Sequence, residues 1–205
     1  MKQNMHVNAT LALLAVAAPT LCLGQDYTQQ PFSADITMTT HNGTKVTGKY
    51  YFLPPAFRMD TNAQGHAMSM IVNGSTRTTY MVMHDQRLYI ESHGEDNPMM
   101  RQALKPPSFD AAHPCGQDMT CQKVGTESVN GRVCDKWVGK DMKGNSGTAW
   151  IDQKPHFPIK AVSNDGSGME LTNVKEDKPD ASLFQPPAEY RKMDIPGMLG
   201  QRPPA

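Results

Sequence analysis

The sequence shows no excess of either charge and none of the short motifs that mark common catalytic classes. It carries 20 Lys and Arg against 20 Asp and Glu, without a basic stripe, so we do not expect nucleic acid or anionic membrane surfaces as partners. It has no His-Glu-x-x-His motif, phosphate loop or dinucleotide fingerprint. The "GNSG" at 144–147 is not the Gly-x-Ser-x-Gly of a nucleophile elbow. We therefore predict that the protein is not an enzyme and uses no cofactor or metal.

Long apolar runs are absent after the first 24 residues. Lys2 precedes an apolar run from Leu11 to Leu23, and Gly24 follows, which is the order of a secretory signal peptide. The run is shorter than the about 20 residues of a membrane-spanning helix. We predict a cleaved signal peptide at 1–24 and one domain at 25–193, exported to the periplasm or beyond and without a membrane span. The Pro/Gly-rich tail at 194–205 is predicted to be disordered.

Cysteines are few, and three of the four lie beyond the signal peptide. The Asn130-Gly131 pair predicts a hairpin turn that sets Cys134 opposite Glu127, six residues from Cys121. Six strand residues span about 20 Å, whereas a disulfide needs Cα atoms within about 7 Å. A regular hairpin therefore excludes Cys121–Cys134, unless the glycine between Cys121 and Glu127 breaks the strand. We prefer a Cys115–Cys121 disulfide, which leaves Cys134 as a small buried apolar residue.

Turn signals alternate with short runs of period-two patterning along most of the chain. Asn-Gly or Asp-Gly pairs, which supply the positive φ angles of tight hairpins, stand at 42–43, 73–74, 130–131 and 165–166. Between them apolar and polar residues alternate, as in antiparallel strands with one buried face. The predicted strands lie near 32–40, 45–53, 56–61, 67–73, 76–84, 87–92, 121–127, 132–139, 147–152, 157–163 and 169–175.

These strands predict a mainly β fold: a strongly curved antiparallel sheet, or half-barrel, of about 9–11 strands with one or two short helices. A twisted sheet of that size has to curl, close or split. One helix is predicted in "DNPMMRQALKPP", since Asn97 suits the cap, Pro98 the first turn and Pro106 the end. A helix on the concave side would leave an apolar trough.

The stretch "TTYMVMHDQRLYIE" at 78–91 predicts an apolar face rich in methionine. If Asp85-Gln86 is the turn, Met83 faces Leu88 and Met81 faces Ile90, while His84 points to the opposite side. This separation disfavours a copper site, whose thioether and imidazole ligands must converge. Methionine serves both as a filler of irregular cores and as an adaptable binding surface, so both interpretations stay open. The candidate lining residues are Met68, Met70, Met81, Met83, Leu88 and Ile90.

Several longer stretches resemble the outer-membrane lipoprotein carrier (LolA/LolB-like) superfamily, and a group of exported bacterial proteins within it. They are "FSADITMTTHNGTKVTGKYYFLPPAFRMD", "MIVNGSTRTTYMVMHDQRLYIE", "CQKVGTESVNGRVCDKW", "TAWIDQKPHFPIKAV" and "SLFQPPAEYRKM". The resemblance covers about 32–193 and implies a half-barrel around an apolar cavity, in proteins that carry lipid-modified proteins or sense envelope stress. It also makes Arg58, in "FRMD", the candidate for the basic residue with which the carriers grip a lipoprotein.

The sequence and the resemblance together predict a periplasmic or secreted binding module with a methionine-rich cavity. The expected partner is a lipophilic small molecule or acyl chain, with a link to lipoprotein or envelope traffic and an envelope protein as a further partner. The alternative is an envelope interaction or sensor domain with a packed core and no small-molecule ligand.

Overall fold

The computed structural model of the protein describes residues 30–63, 65–93, 119–141 and 144–194. These residues form one sheet of twelve strands, and their other regular element is a 3₁₀ turn, Ala181–Phe184. The predicted signal peptide, the helix near 97–105 and residues 195–205 of the tail lie outside this part. The strands are β1 (Phe32–Thr39), β2 (Lys45–Leu53), β3 (Ala56–Ala63), β4 (His66–Asn73), β5 (Thr78–Met83), β6 (Leu88–His93), β7 (Met119–Val129), β8 (Arg132–Asp141), β9 (Ser146–Asp152), β10 (Pro158–Ser163), β11 (Gly168–Lys175) and β12 (Arg191–Lys192).

The sheet is an antiparallel meander in two halves that meet at β1 and β11. Its order is β12-β6-β5-β4-β3-β2-β1-β11-β10-β9-β8-β7, so consecutive strands are neighbours within each half, except that β12 lies beside β6. The predicted mainly β, antiparallel fold is confirmed, and eleven strands match the predicted positions. The twelfth, β12, is two residues that pair in parallel with β6, which is too short for a periodic pattern to reveal.

The hairpin turn between β7 and β8 was predicted correctly. Asn130 and Gly131 have φ of 52° and 77°, and Glu127 pairs with Cys134. Cys134 is a buried free thiol, so it does not pair with Cys121, which is disulfide-bonded. The predicted partner, Cys115, lies outside the described residues, and that pairing stays a prediction.

The sheet bends strongly toward one face. Neighbouring strands lie about 4.8 Å apart, so a flat sheet would separate β2 from β10 by about 14 Å. Phe157 directly precedes β10, yet its ring centroid lies 5.6 Å from that of Tyr50 and 5.3 Å from that of Phe52, both on β2. Gly48 permits close approach of β2 and β3, since a Cβ there would lie 1.9 Å from the carbonyl oxygen of Asp60. We call the face that carries Tyr50 and Phe52 the inner face, and its opposite the outer face.

Each face has its own apolar core. On the inner face, aromatic and aliphatic side chains from both halves pack into one cluster, whose fully buried members include Phe32, Ile159 and Leu171. On the outer face of β3–β5, the C-terminal segment packs with Phe184 against Ala56, Ile71 and Val82. The C-terminal segment, residues 178–193, therefore covers the outer side of the strands that carry the methionines.

Candidate functional site

Three rows of side chains cross the inner face of β1–β6, because the pairing register is continuous from strand to strand. The first row is Ala34, Tyr50, Met59, Met70, Met81 and Ile90. The second row is Ile36, Gly48, Thr61, Met68, Met83 and Leu88. The third row is Phe32, Phe52, Phe57, Val72, Thr79 and Ser92.

The six predicted lining residues other than Arg58 lie together on this face. Met81 pairs with Ile90 and Met83 with Leu88, as predicted, and β4 contributes Met70 and Met68 opposite the same two methionines. All six side chains are half-buried. The structure therefore forms a continuous apolar surface of flexible side chains at the β4–β6 end of the inner face. That these residues line a ligand site remains a prediction.

Sequence reasoning missed three further methionines on the same face. Met59 extends the first row by one strand, since it pairs with Met70. Met38 and Met169 pair with each other across β1 and β11. Their alternation with polar neighbours was visible in the sequence, but only the strand order of the sheet shows that these elements share one face.

Packing differs between the rows. Phe32, Phe52, Val72 and Thr79 of the third row are buried, whereas the methionines of the first and second rows are all half-buried. A fully packed core would bury these methionines as well. Ala34, Ile36 and Tyr50 of the other two rows are buried as well, whereas Phe57 and Ser92 of the third row are half-buried. The inner face is thus tightly packed at β1 and β2 and more accessible where methionines dominate.

Arg58 does not join the methionines. It pairs with Tyr51 and Ile71 and lies on the outer face, buried, with 9% of its surface exposed. Its guanidinium donates hydrogen bonds to Asp60 Oδ1 (2.6 Å), Ser69 Oγ (3.1 Å) and the carbonyl oxygen of Leu183 (2.9 Å). Its inclusion with the lining residues came from the family resemblance, whereas its alternation with Phe57 and Met59 already placed it on the opposite side of the strand.

His84 points away from the methionines, as predicted, and extends the same polar network. Its Nε2 lies 2.6 Å from Ser69 Oγ, and its Nδ1 lies 3.0 Å from the Tyr190 hydroxyl. Because the Ser69 hydroxyl donates to Asp60 Oδ1 (2.6 Å), His84 Nε2 donates to Ser69. In the neutral imidazole Nδ1 then accepts from the Tyr190 hydroxyl. Ser69 is fully buried and its proton is directed at a carboxylate, so this cluster holds the C-terminal segment rather than presenting a nucleophile.

Thr79 is a polar residue within the buried third row. It is 1% exposed, and its Oγ1 has no hydrogen-bond partner among the described residues. Its neighbours in the row are Val72 and Ser92. Sequence reasoning could not find this feature, because alternation identifies the face of a threonine but not whether its hydroxyl has a partner.

The outer face carries a polar cleft of about 450 Å³ beside the β1–β11 junction. Asp35 accepts hydrogen bonds there from Asn173 and Lys49, and both lower the pKa of its carboxyl. Lys175 and Tyr51 complete the walls. The paired charges and polar walls distinguish this cleft from the apolar inner face.

Similar proteins of known structure share the fold at low sequence identity. An uncharacterized conserved protein from Thermus thermophilus matches with a TM-score of 0.57 and 11% identity over 82% of this chain and 91% of that chain. A chain of the Pseudomonas aeruginosa MucA/MucB complex matches with a TM-score of 0.54 and 14% identity over 82% of this chain and 59% of that chain. A LolA superfamily protein from Nitrosomonas europaea, at 11% identity, covers 77% of this chain and 90% of its own with a TM-score of 0.36. The predicted resemblance is confirmed at the level of the fold, which this chain shares with the first two of these structures.

The sequence itself places the chain in a family. No curated protein matches it. In the part of the chain that the structure describes, no helix has the length and apolar character needed to cross a membrane. Residues 33–154, more than half of the chain, match the family described as Domain of unknown function (DUF4412). The chain belongs to this DUF4412 family.

Proposed function

We propose that this protein is an exported binding module that holds a lipid or acyl chain against the methionine surface of its inner face. The signal peptide predicted at 1–24 is removed on export. The observation that carries the proposal is the continuous, half-buried apolar surface formed by Met59 and the six predicted lining residues of β4–β6. The curvature of the sheet toward this face favours a guest held within the bend.

The residue type supports a binding surface over a structural core. Methionine has three rotatable bonds and adapts to irregular shapes, whereas cores that specify one packing use the stiffer Leu, Ile and Val. Each methylene of a guest that leaves water contributes about 0.8 kcal/mol. The apolar side chains of β3–β6 offer contact along much of a chain of ordinary fatty-acid length.

An envelope interaction or sensor domain is the second candidate. The fold likeness to a chain from the MucA/MucB complex supports it, because that structure contains two different proteins in contact. In this alternative the inner face is filled from within the protein, and binding occurs through its surface.

Probe binding to matched variants tests the proposal. N-phenyl-1-naphthylamine fluorescence and native mass spectrometry after organic extraction should reveal an apolar site in the protein lacking residues 1–24. We expect Met70→Ala/Met81→Ala to lower probe affinity about tenfold or more, because both side chains lie in the middle of the methionine surface, between Met59 and Ile90. The double variant should lose less stability than the about 2–5 kcal/mol per fully buried methionine, since both side chains are half-buried.

Ile71→Ala is the matched control. Ile71 lies next to Met70 on β4 but is fully buried on the outer face. It should cost about 2–5 kcal/mol of stability and leave probe affinity unchanged. If the wild-type protein binds neither probe nor lipid, or if Ile71→Ala weakens binding as much as the double variant, the proposed site is wrong.

A further inference from the structure

The inner face contains one hydroxyl whose environment is unusual for an apolar surface. Thr79 is 1% exposed, and its Oγ1 has no hydrogen-bond partner in the part of the chain that the structure describes. Thr78, directly before it, is also buried but lies on the outer face, where its hydroxyl donates to the carbonyl oxygen of Thr76 at 3.3 Å. The two adjacent threonines therefore differ in whether the hydroxyl is paired.

A buried hydroxyl without a partner is costly for a protein to keep. Leaving a buried polar group unsatisfied costs about 1–3 kcal/mol, and valine has nearly the same shape as threonine without that cost. Most buried polar side chains in native proteins are hydrogen-bonded, so an exception calls for a specific explanation. A bound molecule with an oxygen atom at this point would supply the missing partner.

The position of Thr79 relative to the methionines matches a chain with a polar end. Thr79, Met81 and Met83 follow each other on the inner face of β5, at intervals of about 6.7 Å. Ser92 pairs with Thr79, with Cβ atoms about 4.5–5.5 Å apart, and adds a second hydroxyl. The apolar surface therefore ends in two hydroxyl groups at one end of β5 and β6.

We propose that Thr79, with Ser92 beside it, hydrogen-bonds an oxygen of the guest, and that the guest is an acyl chain with an ester, carboxyl or hydroxyl group at one end. Because Thr79 is 1% exposed, the guest's oxygen reaches its hydroxyl only when the half-buried side chains beside it rotate aside. The chain then runs along β5 over Met81 and Met83. This inference rests on the proposed function, since it assigns the chemical class and orientation of the molecule held on the methionine surface.

Two ligands of equal chain length, one with a terminal hydroxyl and one without, distinguish the hydrogen bond to Thr79 from the apolar contact with the methionines. Displacement of N-phenyl-1-naphthylamine by dodecane and by 1-dodecanol is measured for wild type, Thr79→Val, Thr79→Ser and the control Thr78→Val. We expect Thr79→Val to weaken dodecanol binding about fivefold or more, the equivalent of one lost hydrogen bond of about 1 kcal/mol. Dodecane binding should change less than twofold. Thr79→Ser should keep the preference, and Thr78→Val should leave both affinities unchanged.

The outcomes distinguish this inference from the proposed function. Equal effects of Thr79→Val on both ligands, or no effect on either while both still bind, would refute the hydroxyl contact and leave the apolar site intact. A Thr79→Val protein that is less stable than wild type and binds both ligands normally would assign the hydroxyl to a bond within the protein, again refuting it. If the wild type binds neither ligand, the apolar site and the inference both fail.

Discussion

Arg58→Met offers a decisive test of how the two faces of the sheet divide their roles. The substitution keeps most of the side-chain volume but removes the guanidinium that donates to Asp60, Ser69 and the Leu183 carbonyl oxygen. Removing one partner of a fully buried ion pair costs about 3–5 kcal/mol. The Asp60 side chain is 31% exposed and regains some hydration, so we expect a loss of about 2–4 kcal/mol in the free energy of unfolding, by the same principle.

Lys49→Met is the matched control, because it also removes one positive charge from a pair with an aspartate. The Lys49 side chain is 60% exposed where it contacts Asp35, so solvent screens this pair and we expect a much smaller loss of stability than for Arg58→Met. Urea unfolding followed by the fluorescence of Trp137 and Trp150 measures both variants. If the free energy of unfolding falls with urea concentration at the same slope in both variants, the difference between them is one of stability and not of the surface exposed on unfolding.

The same variant separates the structural role of Arg58 from the lipoprotein-gripping role that the family resemblance implied. A structural role predicts lower stability with unchanged binding of N-phenyl-1-naphthylamine and dodecanol in conditions where the variant is folded. The reasoning is refuted if Arg58→Met stays within about 1 kcal/mol of wild type, the range of an exposed pair, while its ligand affinity falls.

Two further predictions concern titratable groups. Burial raises the pKa of the Cys134 thiol from 9.0 to about 11, which lowers its thiolate fraction about a hundredfold. We therefore expect no labelling of Cys134 by a thiol reagent at pH 8 until the protein is unfolded. Rapid labelling of Cys134 in the native protein would contradict its burial. Hydrogen bonds from Asn173 and Lys49 lower the pKa of Asp35, and one from Arg132 lowers the pKa of Glu176. Lowered carboxyl pKa values stabilise the fold above the ordinary values of 3.8 and 4.5 and lose that effect as pH falls through the folded-state values. The melting temperature should therefore be steady from about pH 7 to about 5 and fall below about pH 4, whereas a constant value down to about pH 3 would argue against these pairs.

Local patterning accounts for most of what could be predicted about the fold. Period-two alternation located eleven strands, and the Asn130-Gly131 pair predicted both the turn and the pairing of Glu127 with Cys134. These signals are local, because a hairpin is determined by its turn and by which residues alternate on each side. The same logic placed Met81 opposite Ile90 and His84 on the other side.

What failed depended on contacts between distant parts of the chain. Phe157 was assigned to a strand by alternation, but it precedes β10, and its ring packs against Phe32 at a centroid distance of 5.0 Å. The packing of Phe184 on Ile71 and Val82 has no periodic signature, since the C-terminal segment contains only a short 3₁₀ turn and a two-residue strand. Arg58 was misplaced for a different reason: the family resemblance was followed where the alternation of β3 pointed to the outer face.

The two faces of β3–β5 explain why a methionine surface is compatible with a stable fold. On the outer face, Phe184 packs into an apolar core, and Arg58 and His84 join the sheet to the C-terminal segment through Leu183 and Tyr190. These contacts restrain the strands from the outer side, so their inner side chains need not pack densely to hold the sheet together. A surface that is free of this structural task can keep side chains with many rotamers. In the proposed function, the cost of ordering them falls on ligand binding rather than on folding.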